Sequence, residues 1–473
     1  MSKLLDRRTF LQAAVAATGL GLAQSAFAAR PKKPNILFIL SDDLGYGDLS
    51  CYGRPDYTTP VIDTLAKEGI KFTDAYASPV CTPTRVAFHT GRYPHRVEVG
   101  LQEPLGDRNL TLGIAEGHPT VASLLKKAGY ATTQIGKWNL GNAPQFGPNS
   151  HGFDEFFGIR ASQADYYTHK NGSGAYDLWE NLEPSKEEGY LTDLFTERAV
   201  KVIQRKHDKP FFISLCYNAP HTPYEAPPDL KSAQPAPAAG KPAGSAEIYA
   251  AMVKSMDTGI GKVMQALKDA KLDKNTLVIF ASDNGGTSWS YLKPFSGQKG
   301  QISEGGLRVP VIVRWTGVVP PGRTTNQISY TFDLSATIVA AAGAKADPGY
   351  PLDGIDLMDV CTGARPAIER TLFFRSAQRG APTGQGAARS GKWKYFVAGT
   401  TEHLYDLSTD PGEQNDVKEA HTDVLENLRG QYRKWDAQML PNPVGQNADD
   451  GGGGGGGGGG GRGAAKGAGK AGA

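Results

Sequence analysis

The fold class follows first from an apolar run, Asn35-Ile36-Leu37-Phe38-Ile39-Leu40, which ends directly in Ser41-Asp42-Asp43-Leu44-Gly45. An unbroken run of this length is typical of a strand that is buried on both faces, as in a parallel sheet. Ligands of open α/β sheets bind at the carboxyl ends of the strands. The run therefore predicts a central strand that delivers polar side chains to a functional edge.

Helical and extended patterns alternate along the chain after this run. Four helical segments each precede an extended segment, at 61–69 and 72–77, 121–128 and 130–135, 191–206 and 211–215, and 249–270 and 277–281. Such alternation indicates an α/β sheet with helices on both faces. The sequence thus predicts a large mixed, mostly parallel sheet that is sandwiched by helices.

The sequence pattern changes after about residue 360. Short extended pieces precede a final helical segment, at 371–374, 393–397, 403–406 and 423–437. This order predicts a small C-terminal α+β domain with an antiparallel sheet. We therefore expect a catalytic α/β domain at 29–360 and a smaller domain at 361–445.

Two further segments lack the pattern of a packed element. Residues 233–246 are rich in Ala, Pro and Gly, which favours a surface loop. Eleven glycines from Gly451 onward lead into a Gly/Ala/Lys tail. Because such a tail buries too little surface to offset its backbone entropy, we expect residues 446–473 to be disordered.

The first 28 residues carry the features of an export signal. Asp6-Arg7-Arg8-Thr9-Phe10-Leu11 precedes a modestly apolar segment, and Ala26-Phe27-Ala28 offers a small-residue cleavage site. We interpret residues 1–28 as a twin-arginine signal peptide of a bacterial protein that is periplasmic or secreted. The alternative is a buried Ala-rich helix with incidental arginines.

Charge and hydropathy argue against two classes of partner. The formal net charge is only +3, so no basic face predicts nucleic-acid binding. After the signal, no apolar run approaches the ~18–20 residues that a membrane span needs. The expected partner is a small molecule or a polymer end held in a local charged pocket.

Two predicted strands end in residues with oxygen-bearing side chains. Asp42 and Asp43 follow the first strand, and Asp283 and Asn284 follow the strand at 277–281. Asp and Asn are also ordinary turn residues after a strand, so it is their joint placement that carries the prediction. Three carboxylates and an amide oxygen at one edge favour calcium or magnesium over zinc.

A possible nucleophile lies between these two strands, in Cys81-Thr82-Pro83-Thr84-Arg85. Pro83 suits the beginning of a helix, because its missing N–H costs nothing there. Cys81 is then expected just before a helix N-terminus, where free amides favour an anion. Arg85, one turn later, can return to the same end. The alternative for Cys81 is a small buried hydrophobic residue.

The Cys-x-Pro-x-Arg motif, followed by Thr90-Gly91-Arg92, resembles the signature of the type I sulfatases of the alkaline phosphatase superfamily. In that family the cysteine is oxidised to formylglycine, whose aldehyde hydrate is the nucleophile. The resemblance implies an alkaline phosphatase-like fold and a formylglycine at Cys81, installed by a formylglycine-generating maturation enzyme. It also implies calcium ligation by the two oxygen-rich pairs, Asp42-Asp43 and Asp283-Asn284.

Further motifs extend the resemblance over about residues 34–440. They are Gly136-Lys137-Trp138, Ala219-Pro220-His221, Gly297-Gln298-Lys299-Gly300, and, as a looser match, Ser162 after His151-Gly152-Phe153-Asp154. The resemblance implies that Lys137 and Lys299 bind sulfate, that His221 lies at the leaving-group side, and that Ser162 contacts the substrate.

The implied chemistry is physically consistent. Three cationic side chains can neutralise charge on the sulfate oxygens together with the metal ion. They are those of Arg85, Lys137 and Lys299. Asp283 and the metal can help to deprotonate the hydroxyl nucleophile, while His221 donates a proton to the departing alcohol. For each lysine and for His221, the alternative is a solvated face or a structural hydrogen bond.

One residue departs from the family pattern. Where many members have Gly-Lys-Trp-His, this chain has Asn139 after Trp138. That histidine is commonly assigned a role in breaking down the sulfated intermediate, whereas asparagine cannot act as a base at neutral pH. We expect Asn139 to lie beside the nucleophile and to hydrogen-bond it.

The sequence thus indicates hydrolysis of sulfate monoesters, with two alternatives. One is a formylglycine-dependent phosphodiesterase or phosphonate monoester hydrolase on the same fold. The other is a sulfatase-like protein that binds glycans and whose Cys81 is never converted. A sulfated carbohydrate is favoured over an aryl sulfate, because the loops 163–190 and 285–296 carry aromatic side chains, such as Tyr166, that can stack on a sugar.

Overall fold

The computed structural model describes residues 33–229, 244–377 and 384–442. The predicted signal peptide, the Gly-rich tail and most of the predicted loop at 233–246 lie outside the described residues. Within the described ranges, every helix is too short or too polar to cross a membrane.

The larger domain is built around a wide sheet. In the described part of the chain this sheet has ten strands, in the spatial order β11 (Arg323–Thr325), β2 (Ile70–Phe72), β10 (Val311–Arg314), β9 (Thr276–Ser282), β1 (Asn35–Ser41), β8 (Phe211–Cys216), β4 (Ala131–Gly136), β5 (Glu155–Gly158), β6 (Trp179–Glu180) and β7 (Glu183–Pro184). The central strands from β9 to β5 run parallel, whereas β10 runs antiparallel to β9 and to β2. The prediction of a mixed, mostly parallel sheet is confirmed.

Both faces of the sheet are covered, as the first apolar run requires. Leu37 and Ile39 of β1 belong to one buried cluster, while Ile36, Phe38 and Leu40 belong to the cluster on the other face. The α-helices of this domain in the described part of the chain, some of them short, are α1 (Pro60–Glu68), α2 (Cys81–Thr90), α3 (Val121–Lys127), α4 (Leu191–Ile203), α5 (Ala246–Asp269), α6 (Glu304–Leu307), α7 (Thr331–Ala341) and α8 (Met358–Thr362). A further pair of short parallel strands, β3 (Ala75–Tyr76) and β12 (Ser329–Tyr330), lies outside the large sheet.

The C-terminal part forms the expected antiparallel sheet. Its strands are β13 (Thr371–Ser376), β14 (Gln385–Ser390), β15 (Trp393–Ala398) and β16 (Thr401–Asp406), in that order, and helix α9 (Thr422–Asp436) packs on β14 and β15. The sheet shares a buried cluster with Tyr76, Leu307 and Tyr330 of the larger domain. The domain boundary at 360 stays a prediction.

Strand β14 was not predicted from the sequence. Its residues, Gln-Gly-Ala-Ala-Arg-Ser, include no β-branched or aromatic side chain, which is the usual signal for a strand. Small residues suit this position because the ring of Tyr432 lies directly against Gly386, where a Cβ would collide with it. Tertiary packing therefore decides the conformation here, and local propensity does not.

Candidate active site

Sheet register brings the two oxygen-rich pairs together. Ser41 lies opposite Ser282 in the parallel pair β1–β9, so Asp42 and Asp283 leave neighbouring strands at the same level. The backbone N–H of Asp283 donates to the Ser41 carbonyl at 3.1 Å. Asp43 has a φ of 63°, a left-handed conformation that Asp tolerates better than most residues. The sequence-predicted ligands thus share one buried edge.

Each carboxylate in this cluster contacts a cationic side chain. Lys137 Nζ lies 2.6 Å from Asp42 Oδ2, and Lys299 Nζ lies 2.6 Å from Asp43 Oδ1. Arg85 Nη2 lies 2.8 Å from Asp283 Oδ2. Three negative charges therefore face three positive charges, and the cluster is formally neutral. A divalent cation would leave it with an excess of two positive charges.

The electrostatics of the carboxylates depend on burial and on their neighbours. Burial opposes ionisation of Asp43, but Lys299 and then His221 hold its pKa well below the usual range. Burial and the adjacent charge of Asp42 raise the pKa of Asp283 to about 6, although Arg85 acts in the opposite direction. Crowded carboxylates of this kind gain from a further positive charge between them.

Two oxygens of the cluster are suited to a metal ion. Asp42 Oδ1 and Asn284 Oδ1 are buried and have no hydrogen-bond partner within the described ranges. A buried oxygen without a partner destabilises the folded protein unless a bound ligand satisfies it. Ligand atoms of Asp42, Asp43 and His221 lie within 4.8 Å of one another. The oxygen donors fit a hard cation, as predicted, and His221 lies beside them although it was not among the predicted ligands.

Cys81 lies at the N-terminal end of α2, completely buried. It was expected just before the helix, but it is the first helical residue and Val80 is the N-cap. Pro83 is tolerated in the first turn because the first four N–H groups of a helix have no internal partner. Burial raises the pKa of the Cys81 thiol, while Lys137 and Lys299 act in the opposite direction.

Arg85 connects the helix of Cys81 to the carboxylates. Residues four apart lie on one helix face, so Arg85 follows Cys81 on the same side of α2. Its Nη1 donates to the Lys137 carbonyl at 2.9 Å, and its Nε and Nη2 donate to Asp283 Oδ2 at 3.2 and 2.8 Å. The structure therefore directs the guanidinium at a carboxylate that was predicted to bind the metal.

Asn139 reaches Cys81 from the segment that follows β4. Its Nδ2 lies 3.1 Å from Cys81 Sγ and donates to it, so the predicted contact between the two side chains is present. The residue has a φ of 56°, and its N–H donates to the Arg160 carbonyl at 3.1 Å. Asn tolerates this left-handed conformation better than most residues. An asparagine at this position can therefore adopt the backbone turn and also direct its amide at Cys81.

His221 follows β8 and faces Asp43. Its Nδ1 lies 2.6 Å from the Thr222 carbonyl, which can only accept, so Nδ1 carries the proton. Its Nε2 lies 3.7 Å from Asp43 Oδ2. Burial, with Lys299 acting in the same direction, lowers the pKa of His221 to about 3. Neutral His221 therefore presents a lone pair at Nε2.

Ser162 lies on a neighbouring loop, where its hydroxyl is hydrogen-bonded to Asp107. Its Oγ and its N–H both donate to Asp107 Oδ1, at 2.7 and 3.0 Å. The next residue, Gln163, accepts a hydrogen bond of 3.4 Å from Thr222, beside His221. The structure thus brings the loop of Ser162 to the loop of His221, while its hydroxyl is held by Asp107.

Asp107 and Tyr166 have supporting roles that the sequence did not reveal. Asp107 also accepts from the Gly172 N–H at 2.9 Å, so one carboxylate holds two loops. A single Asp in an irregular segment gives no sequence signal for this.

Tyr166 was expected to be available to a sugar, but it is fully buried. Its hydroxyl donates to the carbonyls of Asn218 and His221 at 2.8 and 3.0 Å. Tyr166 therefore supports the His221 turn and is not exposed to a substrate.

The chain is similar to known proteins along most of its length. The family model described as Sulfatase matches residues 34–344. The chain is 32% identical to the N-acetylgalactosamine-6-sulfatase of Canis lupus familiaris, over 88% of this chain and 86% of that protein. It is 34% identical to arylsulfatase A of Homo sapiens, over 87% and 89% of the two chains.

Solved structures give the same result. The crystal structure of Ps i-CgsB in complex with k-i-k-neocarrahexaose superposes with a TM-score of 0.79 at 32% identity, covering 87% of this chain and 95% of that one. The PsFucS1 sulfatase from Pseudoalteromonas sp. superposes with a TM-score of 0.72 at 25% identity, covering 93% and 96%.

Proposed function

The chain belongs to the sulfatase family, as a type I sulfatase of the alkaline phosphatase superfamily and therefore a sulfuric ester hydrolase, and from this premise we propose how its own residues act. Cys81 is the precursor of a formylglycine nucleophile, and a calcium ion is held beside it. The observation that supports this most directly is the contact of Asn139 Nδ2 with Cys81 Sγ, at the N-terminal end of a helix and among paired carboxylates and cations.

Calcium is proposed because the site offers hard oxygen donors. Asp42, Asp43, Asp283 and Asn284 would hold the ion, and the unsatisfied oxygens of Asp42 and Asn284 favour this assignment. When bound, the ion supplies positive charge that stabilises the sulfate oxygens as the ester bond breaks. It would also give the formally neutral cluster the net positive charge that a sulfate monoester anion requires.

The chain's cationic and polar side chains bind and orient the sulfate. Formylglycine supplies, in its hydrated form, a hydroxyl nucleophile at position 81. Lys137 and Lys299 contribute positive charge beside the adjacent carboxylates of Asp42 and Asp43, in a water-poor environment where such charges are most effective. Asn139 donates a hydrogen bond to the nucleophilic position, and Arg85 holds Asp283 in place.

His221 would move a proton at Nε2 on the leaving-group side. Its Nδ1–H is fixed by the Thr222 carbonyl, so the other nitrogen faces the site. At neutral pH this nitrogen has a lone pair. We therefore propose that His221 takes up at Nε2 the proton that the hydroxyl nucleophile at position 81 gives up on attack, and then passes it to the departing alcohol.

A sulfated carbohydrate is the proposed substrate class. The N-acetylgalactosamine-6-sulfatase relative and the neighbour that is bound to a neocarrahexaose both carry sugar-derived names. An aryl sulfate is the second candidate, because the chain is equally similar to arylsulfatase A. Ser162 would contact the substrate from the loop that Asp107 holds beside His221.

Two experiments test the proposal. Peptide mapping of active enzyme should find formylglycine at position 81, which separates an enzyme from a glycan-binding protein with an unconverted Cys81. Release of inorganic sulfate from a panel of defined sulfated oligosaccharides and aryl sulfates should exceed hydrolysis of matched phosphodiesters and phosphonate monoesters. Preferential phosphodiester hydrolysis would contradict it.

Maturation and location complete the proposal. Residues 1–28 would direct export by the twin-arginine route to the periplasm or beyond, after a formylglycine-generating enzyme has acted on Cys81. Residues 29–360 would form the catalytic domain and 361–445 the smaller domain.

A further inference from the structure

The loop that carries Lys299 runs from Ser296 to Glu304. Lys299 lies near its middle, and its Nζ reaches Asp43 at 2.6 Å. The base of the loop is closed by the Gly305 N–H, which donates to the Ser296 carbonyl at 2.7 Å. Near the middle of the loop, the N–H groups of Lys299 and Gly300 donate to the carbonyls of Gly286 and Pro79, at 2.9 and 2.7 Å. The position of the ammonium group therefore depends on these bonds and on how the two ends of the loop are fixed.

Both ends of this loop contact one carboxylate from the C-terminal part of the chain. Glu413 Oε2 accepts from Ser296 Oγ at 3.0 Å and from the Glu304 N–H at 2.7 Å. Glu413 has a φ of 54°, in a turn that is held by Asp410, whose carboxylate accepts from the N–H groups of Gln414 and Asn415. The contact thus comes from an ordered turn after β16.

A buried lysine fixes Glu413 in turn. Lys394 of β15 is completely buried, and its Nζ lies 2.7 Å from Glu413 Oε1 and 3.0 Å from Glu304 Oε1. Burial opposes ionisation of Glu304, but Lys394 and Arg308 lower its pKa to about 2. Glu304 is therefore charged, and the buried Lys394 ammonium joins it to Glu413, so that one cation links the turn to the end of the loop.

We propose that Glu413 is a positioning residue for the sulfate-binding Lys299, so that the C-terminal domain sets the geometry of the catalytic pocket. This inference rests on the proposed role of Lys299. It follows from the bond pattern: one carboxylate bridges the two ends of a nine-residue loop that carries the lysine near its middle. Small displacements of a charged group in an active site cost up to about a hundredfold in rate.

The first test compares Glu413→Ala, Ser296→Ala and the control Glu402→Gln. Glu402 forms a 2.6 Å ion pair with Arg429 in the same C-terminal domain. Within the described structure its carboxylate forms no hydrogen bond or ion pair with residues 296–304. We expect Glu413→Ala to weaken inhibition by inorganic sulfate about tenfold and to lower kcat/KM by about ten- to a hundredfold. Ser296→Ala, which removes one hydrogen bond, should lower both about fivefold, and the control should match the wild type.

The second test is a double-mutant cycle with Lys299→Ala. If Glu413 acts through Lys299, Lys299→Ala/Glu413→Ala should bind sulfate as weakly as Lys299→Ala alone, and so should Lys299→Ala/Ser296→Ala. Two outcomes would overturn the positioning role while leaving the proposed function intact. In one, the losses in sulfate affinity of Lys299→Ala and Glu413→Ala multiply in the double variant. In the other, the Glu413→Ala enzyme is indistinguishable from the control. Wild-type sulfate affinity in Lys299→Ala would overturn the proposed role of Lys299 and the positioning role with it. If Glu413→Ala does not fold, the Ser296→Ala cycle decides the matter from the side of the loop.

Discussion

Arg85 and Asp283 form a buried ion pair in which two guanidinium nitrogens contact one carboxylate oxygen, at 3.2 and 2.8 Å. The pair joins the helix that begins with Cys81 to the segment after β9 that contains Asp283 and Asn284. A side-chain contact between two elements that are distant in sequence therefore holds the helix of Cys81 against the predicted oxygen donors.

Arg85→Lys should reduce both activity and stability. A lysine cannot contact Asp283 and the Lys137 carbonyl at the same time, because it lacks the planar fork of the guanidinium. Loss of one partner of a buried pair costs about 3–5 kcal/mol, and the lysine should recover part of this. We expect a clear fall in the free energy of unfolding and at least a tenfold loss in kcat/KM, measured by denaturant titration and sulfate release.

The matched control for this change is Arg205→Lys. Arg205 contacts Glu155 at 2.6 Å, but both side chains are about two-fifths exposed, so the pair should contribute little. Its stability should change by less than about 1 kcal/mol. An Arg85→Lys enzyme as stable and active as the Arg205→Lys enzyme would refute the structural importance of the buried pair.

Replacement of the nucleophile should be far more damaging than replacement of another cysteine. Cys81→Ala should fold but be inert, and Cys81→Ser should be nearly inert, because a lone hydroxyl offers no aldehyde through which sulfate can be expelled. Cys51→Ser is the control, since Cys51 lies outside the site and should be dispensable. Mass spectrometry of the Cys81 peptide should accompany the assay. Turnover by protein that retains a free thiol at this position would disprove the mechanism.

Calcium should be required for activity. Chelation should abolish sulfate release and calcium should restore it, because the donors are oxygens. Asn284→Ala should raise the calcium concentration for half-maximal recovery at least about tenfold. Asn275→Ala, an exposed position at the opposite end of β9, should leave it unchanged. Elemental analysis that finds zinc in fully active enzyme would contradict the assignment.

The sequence predicted those parts of the site that depend on strand ends. Asp42 and Asp283 were expected together because parallel strands end at one edge, and the register of Ser41 with Ser282 bears this out. Local pattern could not reveal contacts between distant segments. Glu413 and Asp107 each look like a single acidic residue in a turn or loop, and their importance depends on which backbone N–H groups fold against them. Strand β14 escaped prediction for a related reason, since packing against Tyr432 demands small residues there.

Export should depend on the arginine pair near the N-terminus. Replacing Arg7 and Arg8 with Lys should leave the precursor in the cytoplasm, because the twin-arginine route requires both residues. Lys3→Gln, which changes the charge of the same segment but keeps the pair, should be exported normally. Cell fractionation with immunodetection measures both, and an unchanged periplasmic yield of the Arg7→Lys/Arg8→Lys protein would exclude this route.

Asn139→His should change the pH dependence of turnover. Asn139 Nδ2 lies 3.1 Å from Cys81 Sγ, so an imidazole here would contact the nucleophilic position. Unlike asparagine, it could accept a proton in the step that releases sulfate. The pKa of an unperturbed histidine is about 6.5, and neutral imidazole is the form that acts as a base. The variant should therefore retain or raise kcat and lose activity as the pH falls through the histidine range, where the wild type shows no such titration from this position.

The control for this substitution is Asn142→His, three residues further along. The amide of Asn142 donates to the carbonyls of Gly106 and Asn109, both at 2.9 Å, and not to Cys81. A histidine there adds an imidazole to the same segment without contacting the nucleophile, so the pH–rate profile should keep its wild-type shape. If Asn139→His gave the wild-type profile as well, position 139 would have no part in the proton transfer, and the hydrogen bond to Cys81 would serve only to orient the side chain.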